Sequence, residues 1–116
     1  MQVLDYNCDG GCIVLGNSSF RAKLPNGEGD GTYNIYICHN QMDLEAALYD
    51  LHVHKFELDF VSVVSGNINV YRYDCYHSNE EFEKNILVNL NGVYRVYSYM
   101  GNIVLFENEW YKSDND

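Results

Sequence analysis

The chain has 116 residues, of which 47% are hydrophobic, and this is the composition of one ordinary globular domain rather than of a disordered segment. Seventeen acidic residues against seven basic ones give a formal net charge of −10. Such a surface repels nucleic-acid phosphates and anionic membranes, which argues against both as direct partners and favours a partner protein with a basic surface. We expect a single domain over residues 1–112 and a frayed acidic tail over residues 113–116.

The location expected from the sequence is the cytoplasm. No apolar run approaches the roughly 20 residues that span a bilayer, and the first residues lack the basic and apolar regions of a secretory signal. The four cysteines are therefore expected to be reduced thiols. The alternative for "CDGGC" is a disulfide or a zinc site, but the candidate ligands lack the usual zinc spacing; they are Cys8, Cys12, Cys75 and His77. We expect no cofactor.

The first part of the chain contains short runs of strand-forming residues separated by glycine and asparagine turns, a pattern typical of an antiparallel sheet. In "FRAKL", for example, apolar and basic residues alternate, so one face is expected to be buried and the other solvated. Four early strands are predicted, at 2–6, 11–15, 19–24 and 32–38.

The stretch "PNGEGDGTY", residues 25–33, resembles a calcium-binding loop in composition. Counted from Asn26, it places oxygen-bearing side chains at positions 1, 3 and 5 and a glycine at position 6 of an EF-hand loop. Position 12, which must supply a bidentate glutamate, is Ile37, and the flanking residues read as strands rather than helices. The sequence therefore predicts an acidic hairpin tip and not a calcium site.

A helix follows the fourth strand. Asp43 is a suitable N-cap residue, and one apolar stripe at helical spacing runs along "LEAALYDL": Leu44, Ala47, Leu48 and Leu51. A single stripe must be buried against a sheet, because nothing else in the sequence could cover it. A short second helical turn is predicted at "SNEEFEK", where Ser78 and Glu81 have the spacing of a capping box.

The later strands are predicted to form hairpins at glycine turns. A turn at Ser65–Gly66 would pair Phe60 with Tyr71, and Asn91–Gly92 is a strong hairpin signal because both residues tolerate positive φ. Gly101–Asn102 is predicted as the next turn. The sequence thus predicts an α+β fold: a mostly antiparallel twisted sheet of about six to eight strands, one amphipathic helix at about 43–53 and a helical turn at about 79–84.

The sequence contains no recognisable catalytic constellation. Cys38 and His39 are neighbours on a predicted strand, so their side chains point to opposite faces. His52 and His54 lie at the end of the predicted helix, where histidine is favoured by the helix dipole, although two such residues could also chelate a metal. Phosphate-binding loops, dinucleotide fingerprints and nucleophile elbows are absent from the sequence. We expect a protein that is not an enzyme.

Tyrosines and acids are the unusual part of the composition. Eleven tyrosines is a high number for this length, and tyrosine is enriched in protein interfaces. Six are predicted to reach the surface: Tyr36, Tyr49, Tyr76, Tyr94, Tyr99 and Tyr111. The predicted partner-binding set joins exposed acids to two of these tyrosines: Glu28, Asp30, Tyr36, Glu57, Asp59, Tyr94, Glu107 and Glu109.

This combination predicts a non-enzymatic inhibitor that occludes a basic site on a partner protein, most simply one that handles nucleic acid. Carboxylates held on a rigid sheet can take the place of phosphates. In composition alone the chain resembles phage anti-defence inhibitors, such as anti-CRISPR and anti-restriction proteins, and bacterial toxin-immunity proteins. Two alternatives remain open: a binder of small ligands such as nucleotides, and a metal-dependent enzyme using His52, His54, Cys75 and His77.

Overall fold

The computed structural model describes residues 1–8, 11–16, 21–23, 31–74 and 86–107. These residues form one sheet, one α-helix and one turn of 3-10 helix, which confirms the predicted α+β class. In chain order the elements are β1 (Gln2–Cys8), β2 (Gly11–Gly16), β3 (Arg21–Lys23), β4 (Gly31–Cys38), α1 (Gln41–Leu51), η1 (Lys55–Glu57), β5 (Asp59–Asp74), β6 (Ile86–Tyr99) and β7 (Asn102–Phe106). The predicted helical turn at 79–84 and the acidic tail lie outside the described residues.

The seven strands are ordered β1-β4-β7-β6-β5-β2-β3. Strands β4 and β7 are parallel, and every other pair is antiparallel. Tyr6 of β1 and Leu15 of β2 belong to the same buried cluster although their strands stand far apart in this order. The sheet is therefore curled, so that its two ends close over one interior.

The curled sheet separates two hydrophobic cores. Successive side chains of a strand point to opposite faces, so Ile35 and Ile37 of β4 enter the interior core while Tyr36 and Cys38 face α1. Strand β7 repeats the alternation, with Ile103 and Leu105 inside and Val104 and Phe106 under the helix. Strands that are buried on both faces read as continuous apolar runs, as "IVLF" does.

Helix α1 begins two residues earlier than predicted. Asn40, and not Asp43, is the N-cap, because the Asn40 side chain accepts a hydrogen bond of 2.9 Å from the backbone N–H of Asp43. Asp43 lies in the first helical turn and accepts instead from the backbone N–H of His39, at 3.0 Å. The predicted apolar stripe is confirmed: Leu44 and Ala47 are buried against the sheet, and Leu48 and Leu51 are half-buried there. The helix ends at Leu51, and His52, with φ of 58°, is its left-handed C-cap.

The hairpins predicted at Ser65–Gly66 and Asn91–Gly92 are wrong. Both segments lie within long strands, and Gly66 is paired directly with Gly92 in the middle of the β5–β6 ribbon. The two glycines have φ values of +97° and +151°, whereas Asn91 does not have the positive φ that an Asn-Gly turn requires. Glycines in such a pair bend a ribbon instead of reversing the chain, which helps the sheet to curl.

The turn between β6 and β7 is formed by Met100 and Gly101, one residue before the predicted position. Their φ values of 45° and 85° are both positive, as a two-residue hairpin requires. Asn102 accepts a hydrogen bond of 2.9 Å from the backbone N–H of Asn34 on β4, and the Tyr6 hydroxyl donates to the Gly101 carbonyl. These contacts hold the turn against the neighbouring strands.

Candidate functional site

Two of the predicted partner-binding residues are not on the surface. Tyr36 is 1% exposed and Tyr94 is 2% exposed, so the expectation that they present their rings to a partner is wrong. Tyr36 lies on β4 and faces α1, whereas Tyr94 lies on β6 and faces the interior while its neighbour Val93 is exposed. Alternation along a single strand could not show this, because it does not say which of the two faces is buried.

Tyr36 connects the sheet to α1. Its hydroxyl donates a hydrogen bond of 2.5 Å to Asp50 Oδ2 and accepts one of 3.3 Å from Asn34 Nδ2. Burial raises the pKa of Tyr36 to about 12, and the hydrogen bond to the Asp50 carboxylate acts in the same direction. The phenol therefore remains protonated and serves to anchor the helix.

A second cluster that contains polar side chains lies where the parallel strands β4 and β7 end. We call His39, Gly92, Tyr94 and Glu107 the strand-end cluster. His39 Nδ1 is 3.1 Å from Glu107 Oε1, and the backbone N–H of Glu107 donates to the Cys38 carbonyl at 2.8 Å. These two residues are 68 positions apart in sequence, and only the parallel pairing of their strands brings them together.

The Glu107 carboxylate occupies the space beside Gly92. A Cβ atom at Gly92 would meet Glu107 Oε2, so a larger residue at this point of β6 would displace the carboxylate from His39. The pKa of Tyr94 is raised to about 12, first by burial and then by the negative charge of Glu107. The His39 ring lies edge-on to Tyr94, with centroids 6.2 Å apart.

The strand-end cluster is a structural clamp. Glu107 belongs to the predicted partner-binding set, yet its carboxylate is already held by His39 and packed against Tyr94 and Gly92. Within residues 1–8, 11–16, 21–23, 31–74 and 86–107, no three metal-ligating side chains come together. His52 lies beside the Tyr49 ring and His54 stacks on the Phe56 ring.

The outer face of α1 carries a different combination of side chains. Its solvent-facing stripe is spaced at i, i+3, i+4 and i+7: Met42, Glu45, Ala46 and Tyr49. Tyr49 is 82% exposed, which confirms its predicted position, and the His52 ring lies 6.3 Å away. A methionine and a tyrosine are unusually apolar for the outside of a helix.

The aromatic and acidic character continues from α1 into β5. Phe56 of η1 is 80% exposed, and the His54 ring stacks parallel to it with centroids 5.4 Å apart. Glu57 and Asp59, both in the predicted partner-binding set, are exposed beside it. Glu57 Oε2 accepts a hydrogen bond of 2.6 Å from the backbone N–H of His54, which fixes the carboxylate.

We call these six exposed residues the helix-side surface: Met42, Glu45, Tyr49, Phe56, Glu57 and Asp59. Among the side chains that the structure describes, seven are acidic and only Lys55 and Arg95 carry a full basic charge. Residues 42–60 include five of those seven acids. A basic partner would therefore meet negative charge and exposed apolar rings on one continuous segment.

Sequence reasoning identified only part of this surface. It included Glu57 and Asp59 but missed Phe56 and Met42, although the outer helical stripe could have revealed the methionine. Three further members of the predicted set lie outside the described residues: Glu28, Asp30 and Glu109. The candidate metal ligands Cys8, Cys12, Cys75 and His77 also have no described side chains. Ile37 is fully buried in the interior core, so position 12 of the calcium-like stretch cannot coordinate an ion.

Neither helix in the part of the chain that the structure describes is long and apolar enough to cross a membrane. Comparison with protein-family models, with curated proteins and with solved structures finds no match to this chain. The function must therefore be argued from the geometry of the helix-side surface and the strand-end cluster.

Proposed function

We propose that this chain is a non-enzymatic binding protein that inhibits a partner by covering a basic, nucleic-acid-handling site with its helix-side surface. One observation carries the proposal: exposed carboxylates and large exposed apolar side chains alternate along residues 42–60. Single exposed apolar residues are ordinary, but several on one short segment are typical of protein interaction sites. The proposal places this activity in the cytoplasm.

Charge and rigidity support this use of the surface. The net charge of −10 speeds the approach of a basic partner, and the carboxylates give the encounter its orientation. The Tyr36 hydrogen bond to Asp50 and the packing of Leu44 and Ala47 on the sheet hold α1 in place. Glu45 and Tyr49 are therefore presented on a fixed scaffold. A preorganised surface loses little conformational entropy on binding.

The first test compares two variants that remove the same charge. Glu57→Gln with Asp59→Asn removes two negative charges from the helix-side surface, and Asp114→Asn with Asp116→Asn removes two from the end of the chain. Proteins captured from cells by the original chain should be lost with the first variant and retained with the second. Equal capture by both variants would show that the helix-side surface is not the binding site.

The second part of the test measures the affinity for the purified captured protein. Because opposite charges drive the association, the dissociation constant should rise at least about tenfold between about 50 mM and about 300 mM NaCl. The captured protein should also lose its own nucleic-acid binding when the inhibitor is added. An affinity that is independent of salt, or a ternary complex with nucleic acid, contradicts the proposal.

A further inference from the structure

Phe56 presents an open aromatic face next to a carboxylate. His54 stacks on one side of the ring at 6° between planes, and the ring remains 80% exposed, so its other face meets solvent. The residue that follows is Glu57, whose Oε2 is held by the His54 backbone. The exposed ring and a fixed carboxylate thus belong to consecutive residues of η1.

A second phenylalanine of this chain, Phe60, shows that a guanidinium can stack on a partly exposed ring. Arg95 of β6 places its guanidinium carbon 5.8 Å from the centroid of the Phe60 ring, and Phe60 is itself half-exposed. This is a cation–π distance. Phe60 and Phe56 are four residues apart, and the described residues supply a guanidinium to Phe60 but none to Phe56.

Arginine suits the combination of an exposed ring at Phe56 and a carboxylate at Glu57 better than lysine does. A planar guanidinium can stack on an aromatic face while its edge donates hydrogen bonds to a carboxylate. A lysine ammonium is more strongly hydrated and acts as a point charge, so it gains less from the ring. Glu57 uses only Oε2 in its contact with His54, and Oε1 can accept from a ligand.

We infer that the partner inserts an arginine side chain at Phe56, with the guanidinium stacked on the open face of the ring and hydrogen-bonded to Glu57. The inference rests on the proposed function, because it names the group by which the basic partner is held. It implies that the helix-side surface selects arginine-bearing sites over lysine-bearing sites of equal charge.

The experiment uses two flexible synthetic peptides with one sequence, in which several spaced positions are all arginine or all lysine. Their affinities for the full chain are measured by fluorescence anisotropy at low salt. The arginine peptide should bind about two- to fivefold more tightly, the effect of one exposed cation–π contact. Phe56→Leu should remove this preference and leave the lysine peptide unchanged within about twofold.

Val3→Ala is the matched control, because it changes an exposed apolar residue outside the helix-side surface and should keep the arginine preference. Circular dichroism and a urea midpoint establish that each variant is folded. If both peptides bind equally, or if Phe56→Leu keeps the preference, the arginine inference is overturned and the acidic binding surface stands. If neither peptide binds, both the inference and the proposed function are overturned.

Discussion

The helix-side surface and the strand-end cluster contain the same kinds of side chain and use them in opposite ways. Each combines histidine, an aromatic ring and a carboxylate. In the strand-end cluster, Glu107 is bound by His39 and packed against the buried Tyr94. On the helix-side surface, Phe56 and Glu57 are exposed and the stacked histidine covers only one ring face. Residue type therefore does not distinguish the two regions; the burial of the aromatic ring does, because Tyr94 is buried and Phe56 is exposed.

The comparison also explains why some residues of the predicted partner-binding set lie on the helix-side surface and others lie in the strand-end cluster. Glu57 and Asp59 lie near the start of β5, where β6 is the neighbouring strand and α1 does not cover them. Tyr94 and Glu107 lie where β4, β6 and β7 converge, and their polar groups are directed at each other. Substitutions in the clamp should change stability, and substitutions on the helix-side surface should change binding.

The largest expected effect is a loss of stability at alkaline pH, which depends on buried side chains and not on the helix-side surface. Burial raises the pKa values of Tyr36, Tyr94 and Cys38 to about 12, from ordinary values of 10.0 for tyrosine and 9.0 for cysteine. The unfolded chain therefore loses these protons first, so their contribution to stability is complete below about pH 9 and is lost as the pH rises toward about 12. Each group should lower the free energy of unfolding by about 1.4 kcal/mol per pH unit above its unfolded pKa.

Urea unfolding at about pH 8 and about pH 11 measures this loss. The double variant Tyr36→Phe with Tyr94→Phe should show a smaller decrease between the two pH values, since two of the three groups are gone. Phe56→Leu should show the decrease of the original chain. A stability that stays constant up to about pH 11 would mean that the three groups are not buried as described.

Gly92 is the position where a small substitution should damage the clamp most. Gly92→Ala adds a Cβ that displaces the Glu107 carboxylate from His39 and also strains a backbone with φ of +151°, so we expect a loss of about 2 kcal/mol in the free energy of unfolding. Gly66→Ala is the matched control, because its φ is also positive but no atom lies within 4 Å of the added Cβ. It should lose only about 1 kcal/mol.

A double-mutant cycle with Glu107→Ala assigns the difference between the two glycines. With the carboxylate removed, Gly92→Ala should approach the smaller cost of Gly66→Ala, because only the backbone strain remains. Equal losses for Gly92→Ala and Gly66→Ala in the original chain would contradict the contact between Glu107 and β6. The free energies come from urea unfolding.

The smallest expected change in stability comes from substituting two tyrosines, one beneath α1 and one on its outer face. Tyr36→Phe removes the hydroxyl that donates to Asp50 and should cost about 1.5 kcal/mol, the lower end for a hydrogen bond to a charged group, because Asp50 is exposed. Tyr49→Phe changes a ring that is 82% exposed and should leave the urea midpoint unchanged. If both variants lose the same stability, the Tyr36 hydroxyl does not anchor the helix.

Local patterns predicted the local parts of this protein well. The early strands were expected at 2–6, 11–15, 19–24 and 32–38 and are found within a few residues of those bounds. The apolar stripe of α1 was recognised because helical spacing is a property of neighbouring residues. Even the turn before β7 was displaced by only one residue.

Turn-forming residues led to wrong hairpin predictions where the strands pair with partners that are distant in sequence. Ser65–Gly66 and Asn91–Gly92 both have the residues of a hairpin, but each glycine found its place opposite the other in a continuous ribbon. A glycine signals only that positive φ is tolerated, and both a bend and a reversal use it. The long β5–β6 ladder therefore overrode two local turn signals.

The sequence by itself determined the α+β class, the negative charge and the amphipathic helix, because each of these depends on composition or on residues a few positions apart. The tertiary structure decided which side chains remain available. Helix α1 buried Tyr36 and the curl of the sheet buried Tyr94, on faces that strand alternation leaves undefined. The parallel β4–β7 pair joined His39 to Glu107 across 68 positions. Burial and long-range pairing depend on the whole chain packing together, and so no single segment could specify them.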